Sequence, residues 1–298
     1  MSWSVVVVLH DSAVHLRRLL ASLDAHLPER PQVICVDSGS RDEGPAIARA
    51  WGAQTLVLDG NPGFGAANNA GIALASHPVT VLLNPDCLAL DDGLARLAAL
   101  ARDRAALVVP RLLNPDGSVQ RSAHPRPGGR DAYLAALVPP RVLPRAAREH
   151  LEPFRARSPR PVGWAIAACV AARTDVLRDL GPFDAEHFLF YEDLDLCLRA
   201  GAAGIPTELH PEIALTHVGG HSTRAAFADE ALELQAGRRR AVIGRTLGAR
   251  ALARDDRAQA LTFGLRAAVG RDRTRNRALL AALRAAQKSP SWDSGGAG

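Results

Sequence analysis

Five short apolar runs mark the first 110 residues, each separated from the next by a stretch with helical spacing. Val5–Leu9, Gln32–Asp37, Gln54–Leu58, Val79–Leu83 and Ala106–Val109 are predicted strands. Ala13–Leu27, Glu43–Trp51, Gly65–Ala75 and Asp91–Ala101 are the predicted helices between them. A strand buried on both faces reads as a continuous apolar run, and parallel neighbours need a crossover that is usually a helix. The pattern predicts an α/β fold with a mainly parallel, doubly wound, Rossmann-like sheet. Ligands of such sheets bind beyond the carboxyl ends of the strands. The polar residues gather there: His10-Asp11, Asp37-Ser38-Gly39-Ser40, Asn61 and Asn84-Pro85-Asp86.

A chain of 298 residues, 47% hydrophobic, can hold one large domain or two small ones. No apolar run approaches the ~20 residues of a membrane-spanning helix. The N-terminus enters Val5–Leu9 without a basic region or cleavage site and reads as a strand rather than a secretion signal. The four cysteines are widely spaced with no CxxC pair, which argues against a zinc site or disulfide framework and for a reduced, cytoplasmic compartment. The net charge of +5 is uneven, with basic residues crowding the last third from Arg238-Arg239-Arg240 onward. Aromatic residues do not interleave with that run, so nucleic acid is not an expected partner.

Beyond the alternating part, Pro110–Pro161 is rich in Pro, Arg and Gly and reads as a surface excursion, with turn chemistry at Asn114-Pro115-Asp116-Gly117. Val162–Ala172 is a predicted buried strand, Glu192–Ala200 a helix, and Ile205–His210 and Glu212–His217 two short strands. From Arg224 the pattern is helical, and the tail after Ser289 is expected to be disordered.

Each polar segment has a structural and a chemical reading. Asp37 could accept from a base or ribose, or simply end a strand. The run Asn61-Pro62-Gly63-Phe64 through Asn69 and Gly71 could admit a phosphate at a helix N-terminus, or pack a helix tightly. It is neither GxGxxG nor a P-loop. Proline forbids strand continuation, so Asp86 leaves the sheet edge, where a carboxylate suits a hard divalent cation. Glu192-Asp193-Leu194-Asp195 opens a helix behind an aromatic run. Asp193 could act as a general base, whereas Asp195 and Arg199 are spaced to pair along the helix. His217 could ligate a metal beside Asp86.

Taken in order, these segments resemble the family-2 glycosyltransferases of GT-A fold, in particular a rhamnosyltransferase-like subgroup. The resemblance is carried by Asp37-Ser38-Gly39-Ser40, Asn61-x-Gly63-Phe64 with Asn69 and Gly71, and Asn84-Pro85-Asp86. It continues in Pro110-Arg111 with Asp116-Gly117, Gly181-Pro182-Phe183-Asp184, Tyr191-Glu192-Asp193-x-Asp195-Leu196-x-x-Arg199, and His217 with Ser222-Thr223. It implies an inverting transfer of a sugar, rhamnose or similar, from a dTDP- or UDP-sugar to a glycan or lipid-linked acceptor. On that resemblance Asp37, Ser38, Asn61, Gly63, Phe64, Asn69, Asn84 and Asp86 contact the nucleotide sugar. Asp86 and His217 hold Mn or Mg, Asp193 is the base with Glu192 beside it, and Trp164, Tyr191 and Glu192 lie on the acceptor side. The chain departs from the family pattern at Asn84, which replaces a carboxylate, at His10-Asp11, and at Ala167, where many relatives have Gly.

The expected organisation is a catalytic domain over 1–223, a basic helical region over 224–288 and a tail over 289–298. The basic helices are expected to reach the inner face of the cytoplasmic membrane. The rival readings are a sugar nucleotidyltransferase, which would be expected to carry a basic triphosphate loop that residues 10–18 do not supply, and a non-catalytic nucleotide-sugar-binding scaffold.

Overall fold

The computed structural model describes residues 2–138, 140–181, 183–184, 190–219, 230–269 and 272–288. The chain divides into two compact units, residues 1–123 with 156–221 and residues 124–155 with 222–298.

The first unit is built on a nine-stranded sheet. Its strands are β1 (Ser4–Leu9), β2 (Gln32–Asp37), β3 (Gln54–Val57), β4 (Val79–Leu83), β5 (Cys87–Ala89) and β6 (Leu107–Leu113), then β8 (Arg160–Val162), β10 (Cys169–Arg173) and β11 (Thr207–His217). The two short strands β7 (Ala123–His124) and β9 (Trp164–Ala165) lie outside it. Its order is β3-β2-β1-β4-β10-β6-β11-β5, with β8 also on β11. The pairs β1–β2, β2–β3, β1–β4 and β6–β11 are parallel, whereas β10 runs antiparallel to both its neighbours. Helices α1 (Ala13–His26), α2 (Gly44–Trp51), α3 (Phe64–Leu74), α4 (Gly93–Arg102), α7 (Thr174–Asp179) and α8 (Glu192–Ala202) belong to the same unit. The expected mainly parallel, doubly wound sheet is therefore found.

Packing explains the small residues of α3. A Cβ added at Gly71 would lie 2.3 Å from Val6 Cγ1, so only glycine lets the helix approach β1 this closely. The α3 C-terminus is closed by Arg178, whose Nη2 donates to the carbonyls of Ala75 (2.8 Å) and Ile72 (3.2 Å), the latter also accepting the Ala75 N–H at 3.3 Å.

Three expectations for the sheet are corrected. A short strand, β5, precedes α4. The single strand expected over 162–172 is broken into the end of β8, then β9 and β10, by a bend at Gly163 and a turn at Ala167-Ala168. The two strands expected over 205–217 are one, β11, with its register shifted between His210 and Ala214. Pro211 lies in that stretch and cannot donate to a ladder, which suits a bulge.

The second unit holds α5 (Arg130–Leu137), α6 (Arg145–Leu151), α9 (Glu230–Leu247), α10 (Ala249–Val269) and α11 (Arg273–Lys288), with single 3-10 turns at Pro140–Val142 and Pro153–Arg155. The excursion over 124–155, placed by sequence within the first region, thus groups with the C-terminal helices. Asp255, 2% exposed, takes two bonds from Arg239 (2.9 and 3.1 Å) and one from Gln259 (2.6 Å), and Arg240 pairs with Asp256. Buried carboxylates need such partners, so two arginines of the basic run serve the unit's interior. The expected tail over 289–298 lies outside the described residues. Among the described residues no helix is long and apolar enough to cross a membrane.

Candidate active site

The carboxyl ends of β1, β2 and β4 share one edge of the sheet, because these strands are parallel and in register, with Leu9 opposite Asp37 and Val6 opposite Leu82. Asp37 is buried at that edge, its Oδ1 accepting the Ser40 N–H at 3.4 Å. Ser38 Oγ donates to Asn61 Oδ1 (2.8 Å), which also accepts the Gly63 N–H (3.0 Å). A Cβ at Gly39 would sit 3.0 Å from the Gly60 carbonyl. The loops after β2 and β3 are thus stitched into one platform, and Asp37, Ser38, Asn61 and Gly63 come together as expected. Phe64 and Asn69 turn elsewhere. The Phe64 ring meets Phe183 edge-on at 5.8 Å. Asn69 donates to the Phe183 carbonyl (2.8 Å) and accepts its N–H (3.0 Å). Both side chains hold the segment leading to α8.

After β4, the Asn84 N–H donates to the Ala168 carbonyl (2.8 Å) and the Cys87 N–H to the Asn84 carbonyl (3.1 Å), which turns Asp86 out of the sheet. Asp86 Oδ1 lies 3.3 Å from His217 Nε2, and Oδ2 accepts the Gly219 N–H at 3.0 Å. The Val218 N–H reaches the Asp86 carbonyl at 3.1 Å. Burial alone would raise the Asp86 carboxyl, but the His217 ring and the Gly219 N–H outweigh it and hold it below the usual carboxylate range. Cys87 Sγ lies within 4.8 Å of both side chains. Its S–H donates to the Ala168 carbonyl (3.3 Å), and burial pushes the thiol well up, so it is packing rather than a ligand. Carboxylate oxygen and imidazole nitrogen, the ring buried and the carboxylate largely so, converge and fit a divalent cation such as Mn²⁺ or Mg²⁺.

Asp193 sits in the first turn of α8. Burial pushes its carboxyl up to about 6, partly offset by the N–H groups of Leu194 and Ala167. Ala167 and Ala168 therefore reach one group each: the N–H of Ala167 goes to Asp193, and the carbonyl of Ala168 to the Asn84 turn. Glu192 is buried beside Asp193. The rings of Trp164 and Tyr191 lie 6.3 Å apart. Phe190 and Tyr191 both adopt left-handed backbone, φ 74° and 64°, at about 1–3 kcal/mol each, strain that clusters at functional sites. Asp195, 1% exposed, accepts from Arg199 Nε at 2.7 Å, the pairing its spacing predicts. Arg199 Nη1 reaches on to the Gly181 carbonyl (2.7 Å), fixing α8 to that turn. Ser222 and Thr223, which follow His217 in the resembling motif, lie outside the described residues.

The sequence reading missed Val218, Gly219 and Gln120. Gly219 keeps φ at 68°, and a Cβ there would lie 3.2 Å from Gln120 Nε2 and 3.5 Å from the His217 ring. Gln120 Oε1 in turn meets His217 Nδ1 at 2.8 Å. The glycine after His217 was the available signal.

Comparison with known proteins gives the class. The fold matches that of a mannosyltransferase from Pyrobaculum calidifontis, solved in complex with GDP-Man and Mn²⁺, at a TM-score of 0.61 and 17% identity over 98% of this chain and 87% of that one. With the sequence relatives that follow, it marks the molecule as a glycosyltransferase with a GT-A-like fold. The model of glycosyl transferase family 2 matches residues 4–160, and the chain belongs to that family. It is 34% identical to an N-acetylglucosaminyl-diphospho-decaprenol L-rhamnosyltransferase of Mycobacterium tuberculosis over 74% of this chain and 76% of the relative. It is 23% identical to the rhamnosyltransferase WbbL of Escherichia coli over 75% and 86%.

Proposed function

We propose that this glycosyltransferase moves a deoxyhexose such as rhamnose, with inversion, from a dTDP- or UDP-sugar to a hydroxyl of a lipid-linked glycan. The observation that carries the reading is the convergence of Asp86 and His217 after a turn tied to the Ala168 carbonyl, together with an Asp193 that takes the N–H of the adjacent Ala167 and is pushed up by burial. Asp86 and His217 would hold the divalent cation, which supplies charge neutralisation for the departing diphosphate. Asp37 and the Ser38–Asn61 platform would seat the nucleoside. Asp193, whose raised carboxyl matches it to a hydroxyl proton near neutral pH, takes that proton as the acceptor oxygen attacks the anomeric carbon. The carbon–oxygen bond to the diphosphate breaks on the opposite face, so no covalent enzyme intermediate is required. The two rhamnosyltransferase relatives favour rhamnose, and the lipid-diphosphate acceptor in the name of the mycobacterial relative favours a lipid-linked acceptor.

The test is a thermal-shift screen of nucleoside diphosphates and nucleotide sugars with and without Mn²⁺, on the wild type and on Asp86→Asn. A ligand that binds only the native state raises the melting temperature by mass action. Metal-dependent stabilisation by dTDP or UDP, lost in the variant, is expected. Equal shifts with and without metal would remove the cation from the reading.

A lipid-linked acceptor places the work at a membrane surface, on its cytoplasmic face, where nucleotide sugars are made. Arg239 and Arg240 face Asp255 and Asp256, so contact with anionic lipid falls to the exposed Arg245, Arg250 and Arg254. Replacing those three by Glu is expected to abolish flotation of the protein with anionic vesicles, and undiminished flotation would exclude this surface.

A further inference from the structure

A hairpin turn that the catalytic reading does not use ends against His217. The Gly117 N–H donates to the Asn114 carbonyl (2.9 Å), the Asn114 N–H to the Ser118 carbonyl (2.8 Å), and the Gln120 N–H to the Leu112 carbonyl (2.9 Å). This backbone frame carries a side-chain relay. Ser118 Oγ lies 2.6 Å from Asp116 Oδ1, Asn114 Nδ2 lies 2.9 Å from Ser118 Oγ, Gln120 Nε2 lies 3.3 Å from Asn114 Oδ1, and His217 Nδ1 lies 2.8 Å from Gln120 Oε1.

The direction of every link follows from the first. An ionised Asp116 can only accept, so the single proton of Ser118 points at it. Ser118 Oγ can then only accept from its other neighbour, so Asn114 must present its NH₂ there. The Asn114 carbonyl is left facing Gln120, which must donate its own NH₂ and turn its carbonyl toward the imidazole. A carbonyl only accepts, so Nδ1 of His217 carries the proton. While the ring is charged, Nε2–H faces Asp86 Oδ1 at 3.3 Å, the state in which the ring holds that carboxyl low; once the ring is neutral with its proton on Nδ1, Nε2 is a lone pair there.

We infer that the Asn114–Gln120 hairpin is a tautomer clamp, and that Gln120 is a positioning residue that presents Nε2 of His217, unprotonated, toward the space shared with Asp86. The clamp matters because Asp86 works against it. A carboxylate 3.3 Å from Nε2 favours the opposite tautomer, with the proton on Nε2, which would block that nitrogen as a ligand. The acceptor at Gln120 opposes this. A hydrogen-bond partner on the far ring nitrogen is the usual means of fixing a ligating histidine. Gly219 is part of the device, since any side chain there would press on both the Gln120 amide and the ring. The inference rests on the cation reading only for its purpose. The tautomer itself is a property of the metal-free protein.

The experiment is ¹⁵N NMR of the imidazole nitrogens in the full-length, metal-free protein with the ring neutral, the His217 signal being identified among the ten histidines by its loss in His217→Gln. The wild type is expected to show Nδ1–H. Gln120→Leu is expected to move the proton to Nε2 and weaken Mn²⁺ binding, followed by the EPR signal of free Mn²⁺, by roughly 10–100-fold. Gln120→Glu, whose carboxylate can only accept, is expected to keep both Nδ1–H and the affinity, a rescue that a mere packing role would not give. A wild type with Nε2–H, or Gln120→Leu with wild-type tautomer and affinity, overturns the clamp. Nδ1–H in the wild type with no Mn²⁺ uptake upholds the clamp and overturns the cation reading instead.

Discussion

The turn that carries Asp86 is held by the Ala168 carbonyl, and Asp193 takes the N–H of the adjacent Ala167, yet the surroundings of the two carboxyl groups push them in opposite directions. Asp86 faces the His217 ring and the Gly219 N–H and is held low. Asp193 lies where burial dominates and is pushed up to about 6. Divergent environments of this kind separate a permanently charged role from a proton-transferring one. In the proposed mechanism, polar loop backbone surrounds the group that stays anionic, and the enclosed first turn of a helix surrounds the group that gains and loses a proton.

The largest effect expected from breaking this contrast is on rate. Asp193→Asn should lower kcat for transfer by roughly 10²–10⁴-fold while nucleotide-sugar affinity is unchanged. Steady-state kinetics with a calorimetric titration of the donor would show it, and persistent transfer would mean that another group takes the proton. Next in size is the pH profile. With Asp193 at about 6, kcat/KM should lose about tenfold per pH unit below that value, because the base is protonated there. An inflection at ordinary carboxylate values would erase the contrast. The smallest effect is on stability. A raised carboxyl means that the native state holds its proton more tightly than the unfolded chain, so ionising Asp193 costs stability as pH rises from the usual carboxylate value to about 6. Asp193→Asn should therefore gain up to about 3 kcal/mol at pH 7, a gain that disappears in acid. For the lowered Asp86 the sign reverses, and Asp86→Asn should lose stability at neutral pH, with the gap closing as pH falls. Urea unfolding at two pH values reads both.

The alternating first half was legible because parallel strands buried on both faces leave continuous apolar runs. β2 and β4 fall on the predicted residues, and β1 extends the predicted run by one. The second half was less so. β5 is three residues long and carries no period. The stretch over 162–172 is apolar throughout and carries no Pro, Asn, Asp or Ser, so nothing in it announced the turn at Ala167-Ala168. Pro211 reads as a break between strands, whereas a parallel partner carries β11 through it as a bulge. At the site, Asp86, His217 and Asp193 stood out by residue type. In the glycine-rich run the structural partners of Asn69 and Gly71, Phe183 and Val6, are distant in sequence and so carried no local signal. Gln120 was illegible, since a single amide in a Pro- and Arg-rich stretch has no signature until the fold sets it beside an imidazole.

The cysteines carry a practical consequence. All four are buried free thiols, with Cys35 pushed up to about 12 and Cys197 to about 11 by burial. All four belong to the sheet-bearing unit and none to the helical one. The thiolate is the form that reacts, so an alkylating reagent has nothing to attack until the sheet opens. Labelling under native conditions then works as a clock for the breathing of one unit and is blind to the other. The molecule carries, without engineering, a probe of when the sheet-bearing unit yields.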